Sequence, residues 1–302
     1  MSGHLRGEWP TKLFAPYVWL GSNDGFAMAQ CEEATGQKHY TLAFIIADKD
    51  GKAAWFGRVP MEKNLYADQI ETIRKRGGDV IISFGGAAGL ELALAQSDAQ
   101  KLEAEYQSAV DRYKFTWLDF DVEGKALSDD EANARRNLAI AGLQKKNPGV
   151  RITFTLPVNP NGISRHSQSL LADAKAKGVK VYSANIMVMD FGTRFSKDKK
   201  MSDLAITSAL KTREQIEAID PSIQIGLCPM IGQNDVKEET FTPDNAKTLR
   251  DWAAAQPWIC GFSFWSSNRD TAKPGRRAGT TRSGINQQPW EFTRILQQFT
   301  KP

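Results

Sequence analysis

Eight short apolar runs, recurring along the chain with helical patterns between them, limit what this sequence can fold into. They are Tyr17–Leu20, Tyr40–Ala47, Val80–Phe84, Phe115–Val122, Arg151–Leu156, Ala184–Phe191, Gln224–Met230 and Ile259–Trp265. Most are rich in β-branched and aromatic residues and have Gly, Pro or Asn nearby, the marks of strands. They are too short for core helices and too continuously apolar for antiparallel strands with one wet face. The pattern predicts strands buried on both faces.

The intervening segments carry helix signals. Asn64–Arg76 ends at Gly77, a left-handed stop. Leu102, Tyr106, Val110 and Tyr113 recur about once per helical turn. Ser128 and Glu131 form a capping-box pattern opening Asp129–Lys146. A helix begins at Ser164 and stops at Gly178; Leu204–Ile219, Asp244–Ala255 and Trp290–Phe299 follow. Strand–helix alternation repeated eight times in 302 residues predicts an α/β chain. The expected form is one (β/α)8 TIM barrel, with residues 1–302 as a single catalytic domain, since such barrels take about 250 residues. A doubly wound open sheet is the structural competitor; strand count and length favour the barrel.

Hydrophobic residues make up 41% and charged residues 25%, a globular balance that needs no staples. The net charge of +4 is dispersed, and clusters such as Lys197–Lys200 and Arg276–Arg277 are short, so no nucleic-acid surface is expected. No apolar run reaches membrane-spanning length, and Met1–Pro10 lacks the apolar core of a secretory signal. Three cysteines, Cys31, Cys228 and Cys260, do not make a disulfide framework, though one pair could be bridged. His4, His39 and His166 lack metal-ligand spacing, so neither metal nor cofactor is expected. Gly85-Gly86-Ala-Ala-Gly89 lacks the lysine of a phosphate loop.

The chemistry concentrates on the fourth run, Phe115-Thr-Trp-Leu-Asp-Phe-Asp-Val-Glu123. Asp119, Asp121 and Glu123 fall at every second residue, so all three point to one face. Leu118, Phe120 and Val122 point to the other, toward the helices. A central strand of a parallel barrel has no solvent face, so the acids line the interior. Buried carboxylates must share protons or hydrogen bonds, and crowding raises one pKa and splits the titration. A ladder of this kind can keep its outermost member, Glu123, protonated near neutral pH, as a general acid requires. Glu123 is also nearest the C-terminal mouth, where barrel enzymes place their chemistry.

These residues resemble the D-x-x-D-x-D-x-E signature of glycoside hydrolase family 18. Ser83-Phe-Gly-Gly86 resembles that family's S-x-G-G motif, and Met187-Val-Met-Asp190 its M-x-Y-D motif. Trp265 falls where the family has a tryptophan beneath the reacting sugar. The wording of the fourth run is similar to small bacterial and archaeal chitinases. Two positions depart from the pattern: Thr116 replaces the first acid and Met189 the tyrosine. The resemblance implies a chitinase acting on chitin or N-acetylglucosamine oligomers, as a monomer, with retention through an oxazolinium ion. A secreted protein follows from such a polymeric substrate. The implied roles are acid and base for Glu123, acetamide orientation for Asp121, and proton tuning for Asp119. Asp190 and Met187 would help hold substrate, Trp265 would be the sugar's floor, and Ser83, Gly85 and Gly86 would shape the space beneath. Gln233 or Asp235, with Tyr182 behind them, would stand in for the tyrosine missing at Met189. Trp19 and Trp55 are open between further sugar contacts and plain packing. Two rivals share the fold: an endo-β-N-acetylglucosaminidase on N-glycans, and a non-catalytic chitin-binding lectin.

Overall fold

A computed structural model describes residues 9–21, 25–273, 275 and 277–301. Arg276, His4 and most of the Met1–Pro10 stretch lie outside the described residues. Among the described residues, eight parallel strands form the core of the central sheet, and short antiparallel strands extend it. The eight are β1 (in two pieces, Leu13–Phe14 and Tyr17–Trp19), β2 (His39–Ala47), β3 (Asp79–Gly85), β4 (Trp117–Asp121), β5 (Arg151–Asn159), β6 (Val181–Met187), β7 (Gln224–Cys228) and β8 (Ile259–Phe262). Hydrogen-bonded neighbours run from β1 through β8, β7, β6, β5, β4 and β3 to β2.

Proline explains the split in β1. Pro16 has no N–H to give, so the ladder breaks there. Leu13 and Phe14 pair with Gly261 and Phe262 of β8, while Tyr17 to Trp19 pair with Thr41 to Ala43 of β2. The Tyr17 N–H still donates to the Phe264 carbonyl at 3.0 Å, and the Thr41 N–H to the Pro16 carbonyl at 3.0 Å. Residues 13–19 therefore bond to both flanking strands and close the ring.

Helices follow the strands: α1 (Met28–Thr35), α2 (Ala67–Lys75), α3 (Ala99–Tyr113), α4 (Asp130–Lys146), α5 (Arg165–Ala176), α6 (Met201–Ile219), α7 (Pro243–Ala254) and α8 (Glu291–Leu296). The capping box expected at Ser128 is not the start of α4. Ser128 ends a short helix, Gly124–Ser128, and the Asp129 carboxylate caps α4 by accepting from the Ala132 N–H at 2.9 Å. Ser164 does cap α5, accepting from the Ser167 N–H. Gly77 and Gly178 take the left-handed conformation expected of stops. Helix α2 begins three residues later than the sequence pattern, because Met61–Lys63 forms a 3-10 turn that ends on left-handed Asn64. Helix α1 gave no signal: it begins at Ala27, which has no capping side chain.

The strand faces sort as the alternation demands. Leu118, Phe120 and Val122 are buried in the layer between sheet and helices, where Phe84 and Phe120 stack at 5.3 Å. The ring's lower mouth is plugged by aromatics. Trp117 meets Trp9 and Tyr182 edge-on at 5.1 and 4.9 Å, and the Arg151 guanidinium lies 4.9 Å from the Trp117 ring centre. All three cysteines are buried and unpaired, and Cys31 sits on α1 rather than on a strand. Among the described residues, no helix is long and apolar enough to cross a membrane.

Candidate active site

The upper half of the barrel holds a polar layer with the acids above it. Asp119 is the deepest acid, 3% exposed. Its carboxylate accepts from the hydroxyls of Ser83 at 2.6 Å, Tyr17 at 2.7 Å and Thr155 at 2.7 Å. Burial pushes its pKa up to about 6, and these three hydrogen bonds hold it from rising further. Small residues let the neighbouring strand approach. The Gly86 N–H donates to the Asp121 carbonyl at 3.0 Å, and a Cβ on Gly85, at φ +103°, would lie 2.1 Å from that oxygen.

Asp121 stands one step higher. Its Oδ1 is buried and no donor among the described residues reaches it. Burial first, then the charges of Glu123 and Asp119, drive its pKa well above the carboxylate range. It also shares a hydrogen bond with Glu123. Glu123 lies two residues past β4 in extended backbone, at φ −130° and ψ 166°, so the strand's alternation carries it to the same face. Burial raises its pKa too, and Asp190 adds to the rise. Both acids are thus pushed toward their protonated forms, in line with the expectation that Glu123 holds a proton near neutral pH.

These acids open into a cavity of about 320 Å³, lined by Asp121, Glu123, Met187, Met189, Asp190 and Asp235 together with Tyr17, Phe44, Cys228 and Trp265. Trp265 and Phe44 stack at 5.6 Å and 12°, making a flat aromatic wall. Trp265 lies past the end of β8 and is joined to Met230 by a single parallel bridge. Asp190 stands in left-handed backbone at φ +48° and is fastened by the loop after β7. Its N–H donates to Asn234 Oδ1, its carboxylate accepts from the Val236 N–H at 2.9 Å, and the Glu239 carboxylate takes the N–H groups of Phe191 and Gly192.

The remaining expectations divide. Ser83, Gly85 and Gly86 support the acids from below without lining the cavity. Gln233 does not line it either; its side-chain carbonyl accepts from the Ala278 N–H at 3.0 Å. Tyr182 sits in the aromatic plug at the opposite mouth, far from any role beside Met189. Thr116 accepts the indole N–H of Trp9 at 3.0 Å, so the departure from the signature falls on a packing contact. Trp55 is fully buried and donates to the Tyr113 hydroxyl, which makes it core. Trp19 lines a second cavity, beyond Trp265.

Sequence reasoning missed Tyr17, Thr155 and Phe44. Tyr17 and Thr155 are hydroxyl-bearing residues inside strand runs, and their phase relative to Asp119 would have marked them. Phe44 lies in an all-apolar run and gave no such signal.

No family model matches the chain. Among curated proteins it is 31% identical, over 99% of its length, to "Probable bifunctional chitinase/lysozyme" of Escherichia coli (strain K12). It is 30% identical, over 89% of its length, to "Endochitinase 11" of Metarhizium anisopliae. The chain spans only 36% and 54% of those two proteins. Among solved structures, a catalytic-site mutant of active domain 2 of the thermostable chitinase from Pyrococcus furiosus, complexed with chito-oligosaccharides, superposes with a TM-score of 0.87. That match has 32% identity and covers 98% of this chain and 97% of that one. At this identity and coverage, the chain belongs to the family 18 glycoside hydrolases, among the chitinases.

Proposed function

We propose that this chain is a catalytic domain that hydrolyses the β-1,4 links of chitin or its N-acetylglucosamine oligomers with retention. The observation that carries the proposal is Asp121: a buried carboxylate with a donorless oxygen, in hydrogen-bond contact with Glu123, beside an aromatic wall. An ordinary retaining enzyme needs its two carboxyl groups about 5–5.5 Å apart to work on opposite sides of the anomeric carbon. Asp121 and Glu123 stand on one face of one strand and its extended continuation, so they cannot flank the anomeric carbon from opposite sides, and the nucleophile must come from elsewhere. The substrate's own acetamido oxygen supplies it, as in the substrate-assisted exception.

The steps follow from the residues. The sugar's C–H face lies on Trp265, an apolar surface matched to it. Its acetamide N–H donates to Asp121, filling the empty acceptor. Glu123 protonates the leaving glycosidic oxygen while the acetamido oxygen attacks the anomeric carbon, giving an oxazolinium ion and a shortened chain. Asp121 in its charged form stabilises that cation, and the proton shared along the ladder to Asp119 sets how much charge is present. Glu123, now ionised, takes a proton from water as the water opens the ring, returning the β configuration. Asp190 and Asp235 at the rim, with Met187 and Met189, hold the acetyl group in place. Among the described residues the phenol that lines the cavity, Tyr17, is engaged by Asp119 and Thr155, so the acetamide is oriented by Asp121 from its nitrogen side.

The 302 residues act as one domain and as a monomer. Among the described residues the large apolar side chains left exposed are few and scattered along the chain: Leu90 after β3, Leu138 on α4 and Leu210 on α6. An insoluble polymer cannot reach an enzyme inside the cell, so the domain works outside it.

The test is an N-acetylglucosamine hexamer with wild type and Glu123→Gln, followed by chromatography that resolves anomers. Shortened oligomers formed first as β anomers, with a loss of at least about 10²-fold in the variant, are expected for a general acid. Binding without cleavage by the wild type would sink the proposal and leave the lectin; cleavage of a high-mannose glycopeptide alone would leave the N-glycan enzyme.

A further inference from the structure

The second cavity, about 460 Å³, shares Phe44, Ala87 and Trp265 with the first and continues past them to Trp19, Phe56, Arg58 and Arg269. Its electrostatics are opposite to those of the first. The first is lined by four carboxylates; among the described residues the second is lined by none and by two guanidinium groups. Arg58 is exposed, as surface arginines usually are. Arg269 is not: it is 8% exposed, and its Nε and Nη1 are buried without a hydrogen-bond partner.

That state is costly, since a buried guanidinium with unmet donors loses its hydration and regains nothing. Asp190 and Asp235 act on it electrostatically, yet neither meets those two nitrogens. The surrounding segment is nonetheless held firmly. On one side Asn268 clamps Trp19, accepting its N–H at 2.8 Å and donating to its carbonyl at 3.1 Å. On the other, buried Asp270 accepts from Gln287, from the Phe292 and Thr293 N–H groups and from the Thr293 hydroxyl. Arg269 lines a cavity continuous with the candidate active site while its Nε and Nη1 lie behind that surface, so a turn of the side chain would bring the donor fork to a ligand oxygen.

We infer that Arg269 is a specificity-determining residue: it donates to the acetyl carbonyl of the sugar seated next to the reacting unit and rejects a deacetylated sugar there. This rests on the chitinase reading. An acetylated unit brings a carbonyl oxygen to the fork and a methyl group to the Trp19 and Phe56 side of the cavity. A deacetylated unit brings no carbonyl, and its amine is cationic at acid pH. It would leave the donors unmet and set two like charges together away from water, where their repulsion is strong. Sites that hydrogen-bond a substrate group reject the analogue lacking it far better than apolar pockets reject a methyl group.

The experiment digests partly deacetylated chitosan and sequences the oligomeric products by mass spectrometry. Wild type is expected to leave acetylated units both at the reacting position and at its neighbour in the second cavity, the neighbour enriched at least about tenfold. Arg269→Met should lose the neighbour's enrichment and keep the strict requirement at the reacting unit. Its melting temperature should hold or rise, because it removes an unpaired buried charge. Arg269→Lys, which keeps the charge without the fork, should still reject the deacetylated unit while its KM for the acetylated hexamer increases. An acetylation pattern in Arg269→Met equal to that of wild type overturns the inference and leaves the hydrolase intact. A lysine variant as unselective as the methionine one overturns the charge argument. No cleavage by the wild type at all removes the hydrolase reading, and this inference with it.

Discussion

Asp190 is felt at Glu123 through its charge. Its carboxylate adds to the rise that burial gives the Glu123 pKa, while the Val236 N–H and, more weakly, Arg269 hold the Asp190 pKa down against burial. A general acid works while protonated, so the rate falls as pH rises through its pKa. Asp190→Asn removes a charge that raises that pKa. The alkaline limb of kcat/KM is therefore expected to move to lower pH, read from a pH profile on a soluble oligomer. A limb that stays in place or moves upward would mean that Asp190 is not felt at Glu123. At this scale the acids were legible, because alternation alone puts Asp119, Asp121 and Glu123 on one face. How firmly each holds a proton was not. That depends on Ser83, Tyr17 and Thr155 satisfying Asp119 while Asp121 goes without a donor, and those partners come from three other strands.

At the scale of elements, the turn after β3 sets how near two strands can come. Gly85 lies against the Asp121 backbone, in a conformation that L side chains rarely adopt. Gly85→Ala is expected to push β3 from β4 and shift the ladder, with a strain of about 1–3 kcal/mol. Thermal unfolding and oligomer hydrolysis should both register it, activity falling more than stability, since a displacement near 1 Å can cost about 10²-fold in rate. The strands and seven of the helices, α2 to α8, could be read from periodicity. What could not be read were elements whose signals are carried by other parts of the chain. Helix α1 has no capping side chain, and Asp129 displaces Ser128 as the cap of α4 because Gly124–Ser128 has already formed its own turn. Gln233 follows the seventh strand, as a candidate stand-in for the tyrosine must, but its side chain is engaged by the Ala278 N–H across the loop.

For the whole molecule, the buried acids link folding to pH in an uncommon direction. Asp119 titrates at about 6 when folded against 3.8 when free, so between those values the folded chain holds more protons than the unfolded one. Stability then falls as pH rises through that window and levels off above it. The shift amounts to about 3 kcal/mol at 1.36 kcal/mol per unit, and the higher pKa of Asp121 extends the loss toward alkaline pH. The double variant Asp119→Asn, Asp121→Asn is expected to gain stability over wild type at pH 7.5, and to lose most of that gain at pH 4.5, by urea denaturation. An equal difference at both pH values would show that the acids are matched to their surroundings rather than held there at a cost.

The split first strand has a bearing on how the chain is made. Leu13 pairs with Gly261, and the two lie at nearly opposite ends of the sequence. During synthesis from the N-terminus, residues 13 and 14 have no partner until β8 emerges, while Tyr17 to Trp19 can join β2 almost at once. A nascent barrel therefore carries an open seam for most of its translation, with a sheet edge on each side able to pair with another chain. Pro16 sits at that seam, withholding one donor from the exposed edge. Closure waits for the last strand, so nascent chains released before residue 259 should be the ones that aggregate, while those that include residues 259–262 can bury both edges together.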